Sequence, residues 1–398
     1  MTRIAPLPVR LVNPEWMAEV ASPPYDALSP AQRREHLVRH PASYLGVTRS
    51  EADLPEGSRL DEDRLLADSR RALDELIEHG AFGGLLEPAM YAMRLGVGGH
   101  SQTGVLCGLA ADSLRSGELL AHERVHDDRL RVLASHLEVV GAQSSPIVVA
   151  HEDNIVVGDI VERAVGAEPS LHYVSEDGLE LTLWAIETAD AALLAEGLAD
   201  HPLYMIDGHH RAGAAQEHLD HHGPGPASWM LAVLFPAQEL RCESFHRWVE
   251  MAPAEIDRVL DEVTARFDAR PTDPLRMPAR GEVTLHGGGR AVAVVLPSTP
   301  DDPPAVADLA AVRLQHQVLG PLVGVVSDGS DPRLAYLPGV LGAEQLRAQI
   351  ALKGGLLCLL PPVTMTELFA VADAGLTMPP KSTYFVPKAR SGLVVRHL

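Results

Sequence analysis

The residue types best suited to chemistry in this chain stand together in the segment Asp207-Gly-His-His-Arg211. It follows an apolar run and precedes an alanine-rich stretch, a pattern typical of a strand, a tight turn and a helix. Gly208 allows a steep turn, and the first N–H groups of the helix, which lack internal partners, attract anions. His209, His210 and Arg211 add side-chain donors, and Arg211 can bind two phosphate oxygens at once. We therefore predict a phosphate-binding turn.

This turn has two interpretations. Asp207 suits either a helix cap or an Mg²⁺ ion carried by a nucleotide. The segment also fits an ordinary capped helix whose histidines are solvated. We favour the anion site because two histidines and an arginine at a helix N-terminus repel the helix dipole unless an anion offsets them.

A second polar cluster, His122-Glu-Arg-Val-His-Asp-Asp-Arg129, begins another predicted helix. Acidic residues at a helix start complement its dipole whether or not they do chemistry. Glu123 lies just outside the helix, beside His122 and near Arg129, so it is a candidate general base for deprotonating a hydroxyl. A solvated surface glutamate is the alternative.

Histidines also cluster at 218, 221 and 222. The spacing of His218 and His222 places two imidazoles on one helix face, as zinc sites require. No third ligand is evident nearby in the sequence, and histidines complement the negative end of a helix. We therefore favour a solvated helix end over a zinc site.

A proline-bearing segment near the C-terminus places Lys381 ahead of Ser382 and Thr383. The prolines exclude a helix, so the segment is either a loop that lays Lys381 over a phosphate or a surface connection to a last strand. The sequence leaves both open.

The composition limits the partners of the protein. The chain has 398 residues, of which 46% are hydrophobic and 4% aromatic, and a formal net charge of −21. This length favours two lobes over one. The acidic balance argues against binding along a nucleic-acid backbone or on an anionic membrane. Three separated cysteines are typical of free thiols in a reducing cytoplasm. The sequence leaves the oligomeric state open, and a homodimer is one possibility.

The predicted elements mix helices, strands and hairpins, which indicates an α+β fold. A capping box begins a helix at Ser29, and an amphipathic helix spans about Asp61 to His79. Met90 to Val97 and Gly104 to Ala110 form a predicted hairpin. A further helix is predicted from Gly342 to Lys353.

Motifs spread over nearly the whole chain resemble those of one family. They are Ser22-Pro-Pro-Tyr-Asp26, His122-Glu123 with Asp128-Arg129, Ile206-Asp-Gly-His-His-Arg211, His246-Arg247, and Met378-Pro-Pro-Lys-Ser-Thr383 with Pro387-Lys388. In this order they resemble the domain-of-unknown-function family numbered one thousand and fifteen. The Asp-Gly-His-His-Arg element further resembles the phosphate-binding turn of the ParB and sulfiredoxin superfamily, which includes nucleotide-dependent kinases of free serine.

The resemblance implies a ParB/sulfiredoxin-like nucleotide-binding core with an additional mixed α/β lobe. We expect residues 1–250 to form this core with an N-terminal elaboration. Residues 251–398 would form the C-terminal lobe, whose last loop returns to the turn. The implied cofactors are ATP or ADP with Mg²⁺, and the implied substrate is a small hydroxylated metabolite, with a serine-like amino acid as the best candidate.

Phosphoryl transfer suits these residue types because it needs positive charge around the phosphoryl group and a positioned acceptor. The alternatives are a non-catalytic nucleotide-binding regulatory module of the ParB type and a phosphodiesterase or nuclease, which the acidic balance disfavours. The predicted catalytic residues are Glu123, His122, Arg129 and Lys381; the predicted cofactor-binding residues are Asp207, Gly208, His209, His210, Arg211, Arg247, Ser382 and Thr383; the predicted metal ligand is Asp207.

Overall fold

The chain divides into two compact units, the first comprising Met1–Leu240 with Pro387–Leu398 and the second Arg241–Val386. The computed structural model describes residues 4–50, 53, 61–326, 331–342, 344–346, 348 and 354–398. The boundary predicted after residue 250 falls inside the second unit, because Phe245–Val249 is a strand of that unit's sheet. Most of the helix predicted from Gly342 to Lys353 lies outside the described residues.

A large mixed sheet forms the centre of the first unit. The strands of this unit are β1 (Ile4–Ala5), β2 (Arg10–Leu11), β3 (Tyr91–Val97), β4 (His100–Ala110), β5 (Leu119–Ala121), β6 (Ala142–Gln143), β7 (Ile147–His151), β8 (Leu171–Val174), β9 (Glu180–Ala185), β10 (Leu203–Asp207), β11 (Trp229–Pro236) and β20 (Val394–His397). Nine of the described strands form the large sheet, in the order β5-β10-β7-β11-β4-β3-β9-β8 with β1 beside β4, while β2, β20 and β6 form a smaller sheet.

Both faces of the large sheet are buried. Along β11, Leu231, Val233 and Phe235 belong to one apolar cluster, while Met230, Ala232 and Leu234 belong to another. Successive side chains of a strand point to opposite faces, so β11 contributes to two cores. This explains why its sequence is continuously apolar rather than alternating.

Helices cover this sheet. They are α1 (Met17–Val20), α2 (Pro30–Arg39), α3 (Glu62–Glu78), α4 (Ser113–Ser116), α5 (Asp127–Val140), α6 (Ile155–Val165), α7 (Thr188–Gly197) and α8 (His209–His222), with 3₁₀ turns at Pro14–Trp16, Tyr25–Ala27, Tyr44–Gly46, Pro226–Ser228 and Ala237–Glu239. The capping box predicted at Ser29 is confirmed, and the amphipathic helix predicted from Asp61 is α3. Within the described residues, no helix has both the length and the apolar character needed to cross a membrane.

The predicted hairpin is confirmed as β3 and β4, which pair antiparallel. Its second strand begins at His100, earlier than predicted. The reason is the turn: Gly98 and Gly99 have φ angles of 55° and 83°, which match a tight two-residue hairpin turn. The sequence Gly-Gly-His-Ser-Gln had suggested a longer connection.

Helices α5 and α8 pack side by side and run in the same direction. Near their N-termini, the rings of His126 and His210 stack with centroids 5.9 Å apart. Further along, a Cβ on Gly213 would lie only 2.9 Å from Leu130 Cδ1, so the glycine permits the close approach. The C-terminal parts of the helices meet where Glu138 contacts the end of α8. This helix pair therefore connects two polar clusters of the first unit.

The second unit has its own sheet and core. Its strands are β12 (Arg241–Glu243), β13 (Phe245–Val249), β14 (Ala269–Pro271), β15 (Glu282–Gly287), β16 (Arg290–Val295), β17 (Leu334–Pro338), β18 (Leu356–Leu359) and β19 (Tyr384–Val386), and its helices are α9 (Pro253–Arg266), α10 (Pro304–Ala307), α11 (Ala310–Leu314), a π-helix at Gln315–Val323, and α12 (Met365–Asp373). The order β14-β16-β15-β18-β13-β17 forms a sheet, and β12 pairs with β19. The protein is thus mixed α/β with several sheets, while the ParB/sulfiredoxin-like core stays a prediction.

Candidate functional site

The predicted strand, turn and helix around residue 208 are confirmed. Strand β10 ends at Asp207, Gly208 adopts a left-handed conformation with φ of 95°, and α8 begins at His209. A Cβ on Gly208 would lie 2.8 Å from the guanidinium of Arg211 and 3.0 Å from Ile147 Cγ2. Glycine is therefore needed both for its backbone conformation and for the space it leaves.

The sheet brings the second polar cluster to this turn. Strands β5 and β10 are parallel neighbours, with Ala121 in register with Met205. Because parallel strands end at the same edge of a sheet, the residues after β5 lie beside the residues after β10. His122 and Glu123 follow β5 directly, so the first unit unites both polar clusters at one edge.

Asp207 is held between two cations. Its Oδ1 lies 3.0 Å from Lys388 Nζ, and its Oδ2 accepts a hydrogen bond of 2.7 Å from Arg211 NH2. Burial opposes ionisation of this carboxyl, but Lys388 and Arg211 outweigh it and hold the pKa of Asp207 well below its usual range. Asp207 is therefore a carboxylate that fixes two cations at the start of α8.

Lys388 is the residue that sequence reasoning missed. Its side chain is 15% exposed, and it comes from the C-terminal segment that belongs to the first unit. The Pro387-Lys388 motif carries the signal, but the hydroxyls of Ser382 and Thr383 favour Lys381 in the sequence. Nothing in the local sequence shows which lysine reaches Asp207.

Two histidines at this sheet edge, His209 and His122, have lowered pKa values that favour the neutral imidazole. Burial lowers the pKa of His209 to about 3 and that of His122 to about 4. The two rings meet edge to face with centroids 4.8 Å apart, and His122 Nδ1 donates to the carbonyl oxygen of Met205 at 3.0 Å. The repulsion predicted between charged histidines and the helix dipole is therefore wrong for His209, and Asp207 already offsets the charge of Arg211.

Glu123 approaches this cluster closely. Its Oε2 lies 3.6 Å from His209 Nδ1, and its side chain is 34% exposed. His210 is engaged differently, because its Nε2 accepts a hydrogen bond of 3.2 Å from the His126 N–H. Among the described residues, no hydrogen-bond partner contacts His209 Nε2 or Arg211 Nε, although both atoms are buried. The site thus combines a partly exposed acid, a neutral imidazole and a guanidinium with an unused donor.

Arg129 and the predicted residues of the second unit have other surroundings. Arg129 is exposed on the first turn of α5. In the second unit, the buried Arg247 guanidinium donates to the carbonyl oxygens of Phe245, Lys381 and Pro380 at 2.8, 2.9 and 3.1 Å. These contacts give Arg247 a structural role, bracing the loop that carries Lys381, while its phosphate-binding role stays a prediction.

The same loop carries the remaining predicted residues. Lys381 has a positive φ of 55°, which is strained for a residue with a side chain. Its ammonium group lies 5.2 Å from the centre of the Phe245 ring. Ser382 Oγ donates to the carbonyl oxygen of Pro379 at 2.7 Å. The roles predicted for Lys381, Ser382 and Thr383 stay predictions.

Direct binding of Mg²⁺ does not fit Asp207. Magnesium is held by carboxylates, phosphates and water, but each oxygen of Asp207 already contacts a cation. A metal ion would have to displace Arg211 and Lys388 and would be repelled by both. Asp207 therefore orients the two cations, and its surroundings do not fit a directly bound Mg²⁺.

The model of a protein family described as "Protein of unknown function (DUF1015)" matches residues 5–315. The chain belongs to this family. The match confirms the resemblance seen in the motifs and includes both polar clusters of this DUF1015 member. No curated protein sequence matches the chain.

Several solved structures resemble this DUF1015 member weakly. A free serine kinase in complex with AMP is 14% identical, with a TM-score of 0.38. The aligned region covers 72% of this chain and 91% of the kinase chain. SbnI with a C-terminal truncation from Staphylococcus aureus is 14% identical, with a TM-score of 0.36 and coverages of 73% and 87%. A conserved hypothetical protein from Pyrococcus furiosus is 12% identical, with a TM-score of 0.35 and coverages of 72% and 93%. Because these identities and TM-scores are low, the solved structures carry no argument about function. The function is therefore inferred from the residues of the site.

Proposed function

We propose that this protein is a nucleotide-dependent phosphotransferase that phosphorylates the hydroxyl of a small metabolite. The carrying observation is that Glu123 and the cations held by Asp207 lie at one sheet edge, around the N-terminus of α8. Phosphoryl transfer needs this combination of positive charge for the phosphates and an acid that orients the acceptor. ATP or ADP is the proposed cofactor.

Arg211 and the helix start would bind the terminal phosphates. Asp207 fixes one end of the guanidinium, while Arg211 Nε is a buried donor with no hydrogen-bond partner among the described residues, which an anion at the helix start would supply. Lys388 adds a second positive charge on the other side of the carboxylate. The backbone N–H groups at the start of α8, which begins at His209, would add donors to the phosphates.

Glu123 would act as the general base. In the reaction, the acceptor hydroxyl oxygen attacks the terminal phosphorus, the bond from phosphorus to the leaving nucleotide oxygen breaks, and Glu123 takes the hydroxyl proton. The neutral His209 lies beside it, with Nδ1 3.6 Å from the carboxylate, and adds no second charge. A nucleotide would bring its own Mg²⁺, which supplies charge neutralisation at the phosphates.

The serine-like acceptor and the ParB/sulfiredoxin-like core belong to the same proposal. Both are supported by the Asp-Gly-His-His-Arg motif and its resemblance to the phosphate-binding turn of that superfamily. The proposal uses residues of the first unit alone: Glu123, His209, Arg211, Asp207 and Lys388.

The direct experiment incubates the protein with ATP or ADP, Mg²⁺ and a set of hydroxy amino acids, and follows the products by ³¹P NMR. We expect a new phosphomonoester signal and nucleotide binding by calorimetry. Absence of both the product and the nucleotide affinity would refute the proposal. Binding without any product would instead indicate the non-catalytic regulatory module, and phosphate release without an acceptor would indicate a hydrolase.

A further inference from the structure

A third polar cluster, formed by Glu138 of α5 with His218 and His222 of α8, lies at the C-terminal ends of these two helices. Glu138 Oε2 lies 2.7 Å from His222 Nε2 and 3.2 Å from His218 Nδ1. One side-chain atom from each residue can be chosen so that all three atoms lie within 4.8 Å of one another. The third ligand that the sequence did not reveal therefore comes from a neighbouring helix.

We propose that Glu138, His218 and His222 bind a divalent transition-metal ion, with Zn²⁺ as the reference ion, at the C-terminal ends of α5 and α8. The proposal goes beyond the phosphotransferase activity and does not depend on it. No residue of the proposed catalytic site takes part.

The ligand set matches the chemistry of zinc. Histidines four residues apart on a helix share one face, and this spacing is a well-known zinc-binding arrangement. Imidazole nitrogens and a carboxylate oxygen are ordinary Zn²⁺ ligands, and a water molecule can complete a tetrahedral site. Histidines bind a metal in the neutral form. The carboxylate of Glu138 would then give the site a net negative charge that attracts the ion.

The geometry needs only a small adjustment. With Zn–N distances of about 2.0–2.1 Å, tetrahedral ligand atoms stand roughly 3.3 Å apart. Glu138 Oε2 lies 2.7 Å from His222 Nε2 and 3.2 Å from His218 Nδ1, and one ligand atom from each residue lies within 4.8 Å of the other two. The side chains of Glu138 and His222 are 50% and 47% exposed, so both have room to adjust. His218 is more constrained, since its side chain is 11% exposed, and it would set the position of the ion.

A metal here would tie together the two helices whose N-terminal regions carry the candidate catalytic site. Helix α5 follows Glu123 closely, and α8 begins at His209. Without metal, the ends of these helices are joined by a hydrogen bond between the half-exposed side chains of Glu138 and His222. A bound ion would stabilise the first unit in proportion to its concentration and affinity.

The test uses the full-length chain without an affinity tag, stripped with a chelator. Zn²⁺ binding is measured by calorimetry, and Co²⁺ binding by its visible absorption. We expect one ion per chain and a rise in the thermal unfolding midpoint. Loss of a residue that only hydrogen-bonds to a metal ligand typically weakens metal binding about 10- to 100-fold. His222 is proposed as a direct ligand, so His222→Ala should weaken Zn²⁺ binding at least tenfold and abolish the metal-dependent rise in the unfolding midpoint.

Two further variants make the result decisive. His221→Ala is the matched control, because His221 is an exposed neighbour on the same helix end and should leave affinity unchanged. Glu138→Gln removes the carboxylate from a half-exposed position, so it tests the site even where His222→Ala fails to fold. Absence of binding, equal binding by His222→Ala or Glu138→Gln, or a sulfur-to-cobalt absorption band would overturn the proposal.

Discussion

The two ends of α8 use similar residues in different ways. At the N-terminal end, His209 and His210 are adjacent, so they point in different directions: His209 packs into the protein against His122, and His210 contacts His126. At the C-terminal end, His218 and His222 are one turn apart and share a face. The adjacent histidines therefore make separate contacts, whereas the histidines one turn apart lie together and are the pair proposed as metal ligands.

The acids at the two ends differ as well. Asp207 is 29% exposed and contacts two permanent cations, while Glu138 is half-exposed and contacts two imidazoles. A metal ion cannot easily replace an arginine and a lysine at Asp207, but it can replace the hydrogen bond between Glu138 and His222. The two proposals thus assign an anion site to one end of the same helix and a cation site to the other.

The largest expected effect is on catalysis at the N-terminal end. Glu123→Gln keeps the shape of the side chain but removes the base, so turnover should fall about 10²- to 10⁴-fold with nucleotide affinity retained. The measurement is initial rates by ³¹P NMR or a coupled assay, with calorimetry for binding. Glu196→Gln, on the exposed side of α7, is the control. Unchanged turnover in Glu123→Gln would show that Glu123 is not the base.

Gly208→Ala should destabilise the fold by about 2–3 kcal/mol. The left-handed backbone costs about 1–2 kcal/mol for a residue with a side chain, and the contact with Arg211 and Ile147 adds to it. Denaturant unfolding measures the change. Gly178→Ala separates the backbone cost from the steric cost, because Gly178 also has a positive φ of 79° but open space where the Cβ would lie. Equal losses in both variants would contradict the steric part.

Lys388→Met should cost about 1–3 kcal/mol, because it removes a charged partner from a largely buried carboxylate. It should also change the dependence on pH. The pKa of Asp207 is lowered in the folded protein, so its contribution is present above the unfolded pKa of about 3.9 and is lost as pH falls further.

The variant raises the folded pKa of Asp207 toward the unfolded value, so its stability should fall less steeply than that of the unmodified protein at acid pH. Unfolding free energies measured between about pH 5 and pH 2 give this slope. Arg115→Met is the control, since it removes the arginine from an exposed pair with Asp220. A slope as steep as that of the unmodified protein would show that Lys388 does not govern Asp207.

The smallest effect is expected at the other end of the helix. In the metal-free protein, Glu138→Gln should change the unfolding free energy by less than about 1 kcal/mol, because exposed ion pairs contribute little. The measurement is denaturant unfolding in the presence of a chelator. A larger loss would mean that the carboxylate supports the fold without metal, and the contrast between the two ends would disappear.

Much of the candidate site could be predicted where the pattern is local. The strand, the glycine turn and the helix around residue 208 follow from neighbouring residues, and so do the capping box at Ser29 and the β3–β4 hairpin. The partners could not be predicted in the same way. Lys388 and Glu138 are far in sequence from the residues they contact, and no short-range pattern distinguishes Lys388 from Lys381.

The charge states were also beyond local reasoning. His209 and His210 look equivalent in the sequence, yet burial lowers the pKa of His209 while His210 lies against the start of α5. The expectation of a charged, repulsive helix start failed because burial and the ion pairs of Asp207 depend on distant segments.

The amino-acid sequence alone determined the backbone of the turn, since a left-handed glycine between an apolar strand and a helix is a matter of neighbouring residues and steric limits. It also determined the family, through motifs in a fixed order. Only the tertiary structure decided which acid meets which cation or imidazole, because those pairings depend on how β5 and β10 align, how α5 packs on α8, and where the C-terminal segment returns. Burial and charge compensation arise from these long-range contacts, so they exist only once the chain has folded.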